Sequence, residues 1–103
     1  MKLGVAIVGC GLIGIKRAET LDDMLLRVCV DVDPFKADAL ASRFSGCRSM
    51  TDWRDAVKDK QVGVVIVATP HNSLAEITTG AIAAGCHVLV EKPAARFIEE
   101  LGP

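Results

Sequence analysis

Tyrosine is absent from this sequence, and one tryptophan and three phenylalanines are its only aromatic side chains. A core without rings must be built from Val, Ile, Leu and Ala, and half of the 103 residues are hydrophobic. That mix suits a parallel sheet covered on both faces. Histidine is scarce too: His71 and His87 are too few to hold a metal ion by themselves. The four cysteines, Cys10, Cys29, Cys47 and Cys86, are widely spaced, with no C-x-x-C pair and no histidine at metal-ligand spacing. Neither a zinc site nor a disulfide framework is expected, and thiols in or beside buried strands should behave as small hydrophobes. A net charge of −1 with both signs interspersed argues against a nucleic-acid surface or a polybasic membrane patch. No apolar run is long enough to span a bilayer. A cytoplasmic protein with neither membrane nor nucleic acid as partner is expected.

What the chain does have begins near its N-terminus. Val5-Ala6-Ile7-Val8-Gly9-Cys10-Gly11-Leu12-Ile13-Gly14 reads as a buried strand, a tight turn and the opening of a helix. Gly9, Gly11 and Gly14 have the G-x-G-x-x-G spacing of a dinucleotide-binding turn. Each has a physical task there: a sharp exit from the strand, close approach of a pyrophosphate to the backbone, and close packing of helix on sheet. The free N–H groups and positive dipole end of the new helix then face the phosphates. A glycine triplet alone is a weak sign, since many strand–helix turns carry glycine without a ligand. A targeting segment is the rival reading, because Lys2 precedes an apolar stretch and Ile7-Val8-Gly9-Cys10 loosely resembles a lipoprotein cleavage box. The apolar run is too short for that, and Lys16 and Arg17 follow too soon.

From Leu12 to about Asp22 the pattern is amphipathic, with Leu12, Ile15, Ala18 and Leu21 expected on the inner face. Leu26–Val30 predicts the next strand, which ends at Asp31. A carboxylate there, about 20 residues past the glycine turn, is where a dinucleotide fold holds the adenosine ribose hydroxyls. Asp33 caps a second helix with Pro34 in its first turn; Ala37, Leu40, Ala41 and Phe44 face inward, and Gly46 ends it. Cys47–Met50 predicts a short third strand. Thr51 or Asp52 then caps a brief helix in which Trp53, Ala56 and Val57 share a packing face. Val62–Ala68, β-branched and without polar alternation, predicts the central strand. It runs into Thr69-Pro70-His71-Asn72, after which Ser73 and Glu76 predict a capping box. That helix reaches Ala84 with Leu74, Ile77, Ala81 and Ile82 inward, and Gly85 caps its end. Cys86–Val90 predicts a fifth strand that stops at Glu91-Lys92-Pro93, and Phe97, Ile98 and Leu101 open another helix.

This alternation specifies an α/β domain over residues 1–103, a Rossmann-type doubly wound parallel sheet of about five strands. Gly9–Gly14, Asp31, Thr69–Asn72 and Glu91–Pro93 all fall at carboxyl ends of strands, the ligand-binding rim of such a sheet. On these residues the sequence resembles the glucose–fructose oxidoreductase / inositol dehydrogenase (Gfo/Idh/MocA) family. Gly9-Cys10-Gly11-Leu12-Ile13-Gly14, Asp31 and Ala68-Thr69-Pro70 carry the likeness, and Glu91-Lys92-Pro93 is its most specific part. The resemblance implies the cofactor-binding part of a nicotinamide-dependent oxidoreductase, moving a hydride from a hydroxyl-bearing carbon of a sugar, sugar derivative or cyclitol to NAD. It implies cofactor contacts from Gly9, Gly11, Leu12, Ile13, Gly14, Asp31, Thr69, Pro70, Glu91 and Lys92. By the same resemblance Thr69 and Pro70 line the nicotinamide, Glu91 approaches its ribose, and Lys92 is the catalytic residue that reaches the reacting hydroxyl. The family often carries a histidine where this chain has Leu74, and His71 is expected to be a solvated turn residue.

The resemblance further implies another strand, a second α/β domain with the substrate site, and a homo-oligomeric enzyme. That substrate domain is absent from these 103 residues, so a C-terminally truncated dinucleotide-binding domain, inactive alone, is expected. Asp31, with no arginine at Val32 or Asp33, suits a free ribose 2′-hydroxyl and repels a 2′-phosphate, so NAD is expected over NADP. Competing readings are a non-catalytic dinucleotide-binding module or inactive remnant, and methyl transfer from S-adenosylmethionine. The last does not explain Glu91-Lys92-Pro93. A short-chain dehydrogenase is disfavoured, because its catalytic Tyr–Lys pair cannot lie in these residues without a tyrosine.

Overall fold

Successive side chains of a strand point to opposite faces, and in Val5-Ala6-Ile7-Val8 every one is apolar. Such a strand needs cover on both sides. The structure, a computed structural model, describes residues 4–21, 25–69 and 71–90, with His71 and Asn72 described through their backbone alone. Strands β1 (Gly4–Val8), β2 (Leu26–Val30), β3 (Arg48–Met50), β4 (Val62–Val67) and β5 (His87–Val90) form one parallel sheet in the order β3-β2-β1-β4-β5. Val5, Ile7, Cys29 and Ile66 share a core with Ala18 of α1 (Leu12–Thr20) and with Leu40 and Ala41 of α2 (Pro34–Ala41). Ala6, Val8, Val28, Val30, Val65 and Val67 share the other with Ala56 and Val57 of α3 (Trp53–Val57) and Ile77 and Ala81 of α4 (His71–Ala83). The chain is therefore doubly wound, a Rossmann-type α/β domain. Ile7, Leu26, Val28, Leu40 and Val65 are fully buried, and each stabilises the fold by roughly 2 kcal/mol relative to an exposed position.

Local chemistry sets most helix ends. Asp33 Oδ1 accepts from Phe35 N at 2.9 Å, with Pro34 in the first turn of α2. Asp52, not Thr51, caps α3, its Oδ1 accepting from Arg54 N at 2.9 Å. At the end of α4 the chain turns through Gly85, at φ +89°. There Cys86 N donates to Ala81 O at 3.0 Å and Gly85 N to Ile82 O at 2.9 Å, the paired bonds of a Schellman cap.

Several expectations need correction. α4 begins at His71, so His71 is helical rather than a turn residue, and Ser73 and Glu76 lie inside the helix instead of forming a capping box. The sheet leaves little slack there: Ala68 N still bonds Val8 O at 2.8 Å, and the helix opens three residues later. Glu76 instead pairs with Arg54 of α3, Oε1 to Nη2 at 2.5 Å. Leu12 is 69% exposed, because Gly14 and Ala18 occupy the inner face of a helix seated too close for leucine. Ile82 is 61% exposed, one position round from buried Ala81. Phe44 joins the core from the turn after α2 rather than from the helix. β4 is paired on both sides, but the middle of the sheet belongs to β1.

Trp53 is a packing residue, as its spacing predicted, half-buried against the α3–α4 face of the sheet. Its ring lies so close to α4 that a Cβ on Gly80 would stand 2.3 Å from Trp53 Cη2. Gly80→Ala should therefore displace the Trp53 ring from α4 and destabilise the fold by about 1 kcal/mol. Urea unfolding followed by emission of the sole tryptophan checks this, and the native emission maximum should shift red.

Candidate functional site

Strand order reverses between β1 and β4, which opens a crevice at the carboxyl ends of the strands. A cleft of about 850 Å³ occupies it, with Gly9, Gly11, Asp31, Val32, Ala68 and Thr69 along one side.

The glycine turn makes this side. β1 is left through Gly9 at φ +102°, where a Cβ would also stand 2.7 Å from Ala68 O. Gly9 N donates to Val30 O at 2.7 Å and so keeps the turn against β2. Gly14 settles how close the helix comes: a Cβ there would lie 1.9 Å from Gly9 O. Gly11 differs from both, since nothing lies within 4 Å of where its Cβ would be. It is the N-cap of α1 and supplies no side-chain cap. The N–H groups of Leu12, Ile13 and Gly14 belong to the first turn, which has no intrahelical acceptor for them. No acidic residue stands in that turn, so its partial positive charge is open to an anion.

Asp31 ties the tip of β2 to this turn. Its Oδ2 accepts from Cys10 N at 2.8 Å and its Oδ1 from Asp33 N at 2.9 Å. An ionised carboxylate offers about four acceptor sites, so capacity remains for a ligand hydroxyl. Cys10 is buried, and its thiol donates to Val30 O at 3.3 Å. On the same side, just past β4, Thr69 Oγ1 is buried without a partner among the described residues, an arrangement that native structures rarely leave unused. Space over Gly11, an uncapped helix start, an acceptor at Asp31 and an orphaned hydroxyl at Thr69 together fit an elongated ligand carrying phosphate and hydroxyl groups.

Gly9, Gly11, Asp31 and Thr69 thus line the cleft, with Leu12, Ile13 and Gly14 in the helix turn beside it. Pro70, Glu91 and Lys92 lie outside the described residues. Not foreseen from the sequence were Lys36 of α2 and an opposite wall formed by Thr51, Asp52, Trp53, Arg54, Ser73 and Glu76. Arg54 is its hinge, over the Trp53 ring at 4.9 Å and paired with both Asp52 and Glu76. The available signal was topological: α3 leaves the carboxyl end of β3 and must start on the same rim.

A parallel sheet that switches direction at a glycine turn, with an acid at the end of β2, is the architecture of the Rossmann dinucleotide-binding class. The family described as "Oxidoreductase family, NAD-binding Rossmann fold" (GFO_IDH_MocA) matches residues 3–102, and the chain belongs to it. Levoglucosan dehydrogenase of Pseudarthrobacter phenanthrenivorans is 40% identical over 74 residues, covering 72% of this chain and 19% of that protein. Inositol 2-dehydrogenase 1 of Mycolicibacterium vanbaalenii is 32% identical over 102 residues, covering 95% of this chain and 30% of that protein. The crystal structure of GenD2 from gentamicin A biosynthesis in complex with NAD superposes with a TM-score of 0.80 at 43% identity, covering 89% of this chain and 27% of that one. The chain thus spans under a third of each of these relatives.

Because Asp31 braces two backbone N–H groups, Asp31→Ala should destabilise the domain by about 2 kcal/mol, in the range of hydrogen bonds to charged groups. A lower urea midpoint with an unchanged m-value is the expected result.

Proposed function

We propose that this chain binds NAD across the β1/β4 crevice as the cofactor-binding part of an oxidoreductase acting on a hydroxyl of a sugar, sugar derivative or cyclitol. One observation carries the reading: unobstructed Gly11, the Asp31 carboxylate and the unpartnered Thr69 hydroxyl meet in a single cleft. Similarity to a structure in complex with NAD supports the cofactor. Relatives named for levoglucosan and inositol support the substrate class.

In this reading the N–H groups of Leu12 and Ile13, with open space at Gly11, would hold the pyrophosphate. The spare acceptor sites of Asp31 receive the adenosine ribose hydroxyls. Thr69 and Pro70 line the nicotinamide side, and Glu91 approaches the neighbouring ribose. When bound, the nicotinamide ring supplies a hydride acceptor for oxidation of a carbinol carbon. The residues of this chain then position the cofactor and manage the hydroxyl proton. Lys92 follows β5 by two residues; its ammonium donates to the substrate oxygen, lowers the cost of removing the hydroxyl proton, and assists a base contributed from elsewhere in the enzyme.

NAD should bind at least about tenfold more tightly than NADP when both are titrated at equal ionic strength, since Asp31 opposes a 2′-phosphate. Gly11→Val should lower stability by no more than about 1 kcal/mol, the loss of a favoured N-cap residue, because its side chain meets open space, while NAD affinity falls at least about tenfold. Unimpaired NAD binding by that variant removes the proposed pose. In an enzyme that carries this chain with a substrate domain, Lys92→Ala should lower kcat by about a hundredfold and leave NAD affinity intact. Near-normal turnover with collapsed NAD binding makes Lys92 a cofactor clamp instead.

A further inference from the structure

Two thiols that lie 18 positions apart in the chain meet beneath α2. Cys29 Sγ and Cys47 Sγ are 3.5 Å apart. Cys29 is fully buried in the middle of β2, where it pairs with Ser49 of β3. Cys47 is half-buried and stands just ahead of β3, at the amino end of the strand and so away from the cleft. Arg48, opposite Val28, is the first β3 residue in the ladder, so Cys47 stands outside it. It follows Gly46 at φ +77°, and its own N–H turns back to Phe44 O at 3.2 Å. Its sulfur can therefore close on Cys29 without breaking the β2–β3 pairing.

The two thiols have unequal surroundings. Arg48 adjoins Cys47, and the Arg27 guanidinium reaches the same turn, 3.4 Å from where a Cβ would stand on Gly46. The hydrogen bond shared with Cys29 holds the Cys47 thiol below its ordinary range, and Arg27 and Arg48 add to that against the effect of partial burial. Hydrogen bonds with Cys10 and Cys47, together with burial, push the Cys29 thiol up. A partly exposed thiol beside two cations is the reactive kind, and a buried one is not.

We propose that Cys29 and Cys47 are a reversible redox pair, in which Cys47 meets a peroxide and Cys29 resolves the product into a disulfide. The Cys47 thiolate attacks one oxygen of hydrogen peroxide; the O–O bond breaks, and the departing hydroxide takes up the proton that Cys47 released. Cys47 is left as a sulfenic acid. The Cys29 sulfur then attacks the Cys47 sulfur, the S–S bond forms and the S–O bond breaks. The leaving hydroxide departs as water with the Cys29 proton. Two thiols have given two electrons to one peroxide, and two waters result. A dithiol reductant reverses the step by exchange. The bond closes residues 29–47 into a loop that carries Asp31 and α2, which restricts the unfolded chain and fastens one wall of the cleft to β3. Cys10 also neighbours Cys29 but is buried, and Cys86 lies in the core on the opposite face of the sheet.

The reduced chain, treated with a slight excess of hydrogen peroxide, alkylated in denaturant and digested with trypsin, tests this by mass spectrometry. One linked species is expected, residues 28–36 joined to residues 44–48 with the loss of two hydrogens, and dithiothreitol should separate it. Cys10 and Cys86 should remain alkylated. Cys29→Ser should leave Cys47 as a sulfenic acid that dimedone traps, and Cys47→Ser should abolish the link and slow oxidation of Cys29 at least about tenfold. The unsubstituted chain decides the matter without reliance on either variant. Unreacted Cys47, Cys47 carried to sulfinic acid with no link, or a bond through Cys10, Cys86 or a second chain overturns the assignment.

Discussion

The closeness with which α1 seats on the exit of β1 controls the carboxyl rim. A single methyl on Gly14 would fall 1.9 Å from Gly9 O, so helix and turn touch through backbone. That contact brings the start of α1 to the point where β1, β2 and β4 end together. Gly9 N reaches Val30 O, Ala68 N reaches Val8 O, and Asp31 reaches Cys10 N. Had the helix stood off by the width of a side chain, its uncapped N–H groups would face solvent and not the crevice. The same seating explains why Leu12, apolar and at the head of the helix, is exposed.

Fold and site were legible in the sequence to different degrees, for physical reasons. Strands covered on both faces are apolar at nearly every position, so Val5–Val8, Leu26–Val30 (with Arg27 as its one charged residue) and Val62–Val67 announce themselves. Asp33-Pro34 and Gly85 mark helix ends because their local chemistry admits few alternatives. The start of α4 was misread because Ser73 and Glu76 satisfy a local pattern, whereas the true start follows from how far β4 runs beside β1. Local propensity yielded to tertiary geometry. Gly9, Gly11, Asp31 and Thr69 were legible as one site because a parallel sheet puts strand ends on one rim. The wall of Trp53, Arg54 and Glu76 was not, because it depends on an ion pair between α3 and α4 that no spacing encodes. Cys29 and Cys47 were equally hidden: they become neighbours only through the parallel pairing of β2 with β3.

Asp31 shows how a structural role and the proposed ligand role can share one side chain. Its bonds to Cys10 N and Asp33 N hold the carboxylate at a fixed angle to the crevice. A residue held so loses little further freedom when it receives a ligand hydroxyl, which is the energetic case for preorganisation. The two roles also constrain substitution together. Glutamate adds a methylene and moves both acceptors, and asparagine keeps only one of them. The requirement for aspartate therefore comes as much from the turn it braces as from a ribose it would hold.

β2 is chemically divided along its length, and the division follows from its neighbours. Its carboxyl end meets the start of α1 and carries acceptors, Val30 O and Asp31, toward the glycine turn. Its middle is sealed between β1 and β3, where a thiol is small enough to pack and meets the Cys47 sulfur. A short β3 makes this possible: with three residues in the ladder, starting at Arg48, Cys47 stays outside the pairing and its sulfur reaches Cys29. The segment between the two sulfurs is the one that presents Asp31, so a constraint placed at one end of this loop acts on backbone that also sets the carboxylate. The link runs through covalent chain and strand pairing, without any moving part between the two ends of the sheet.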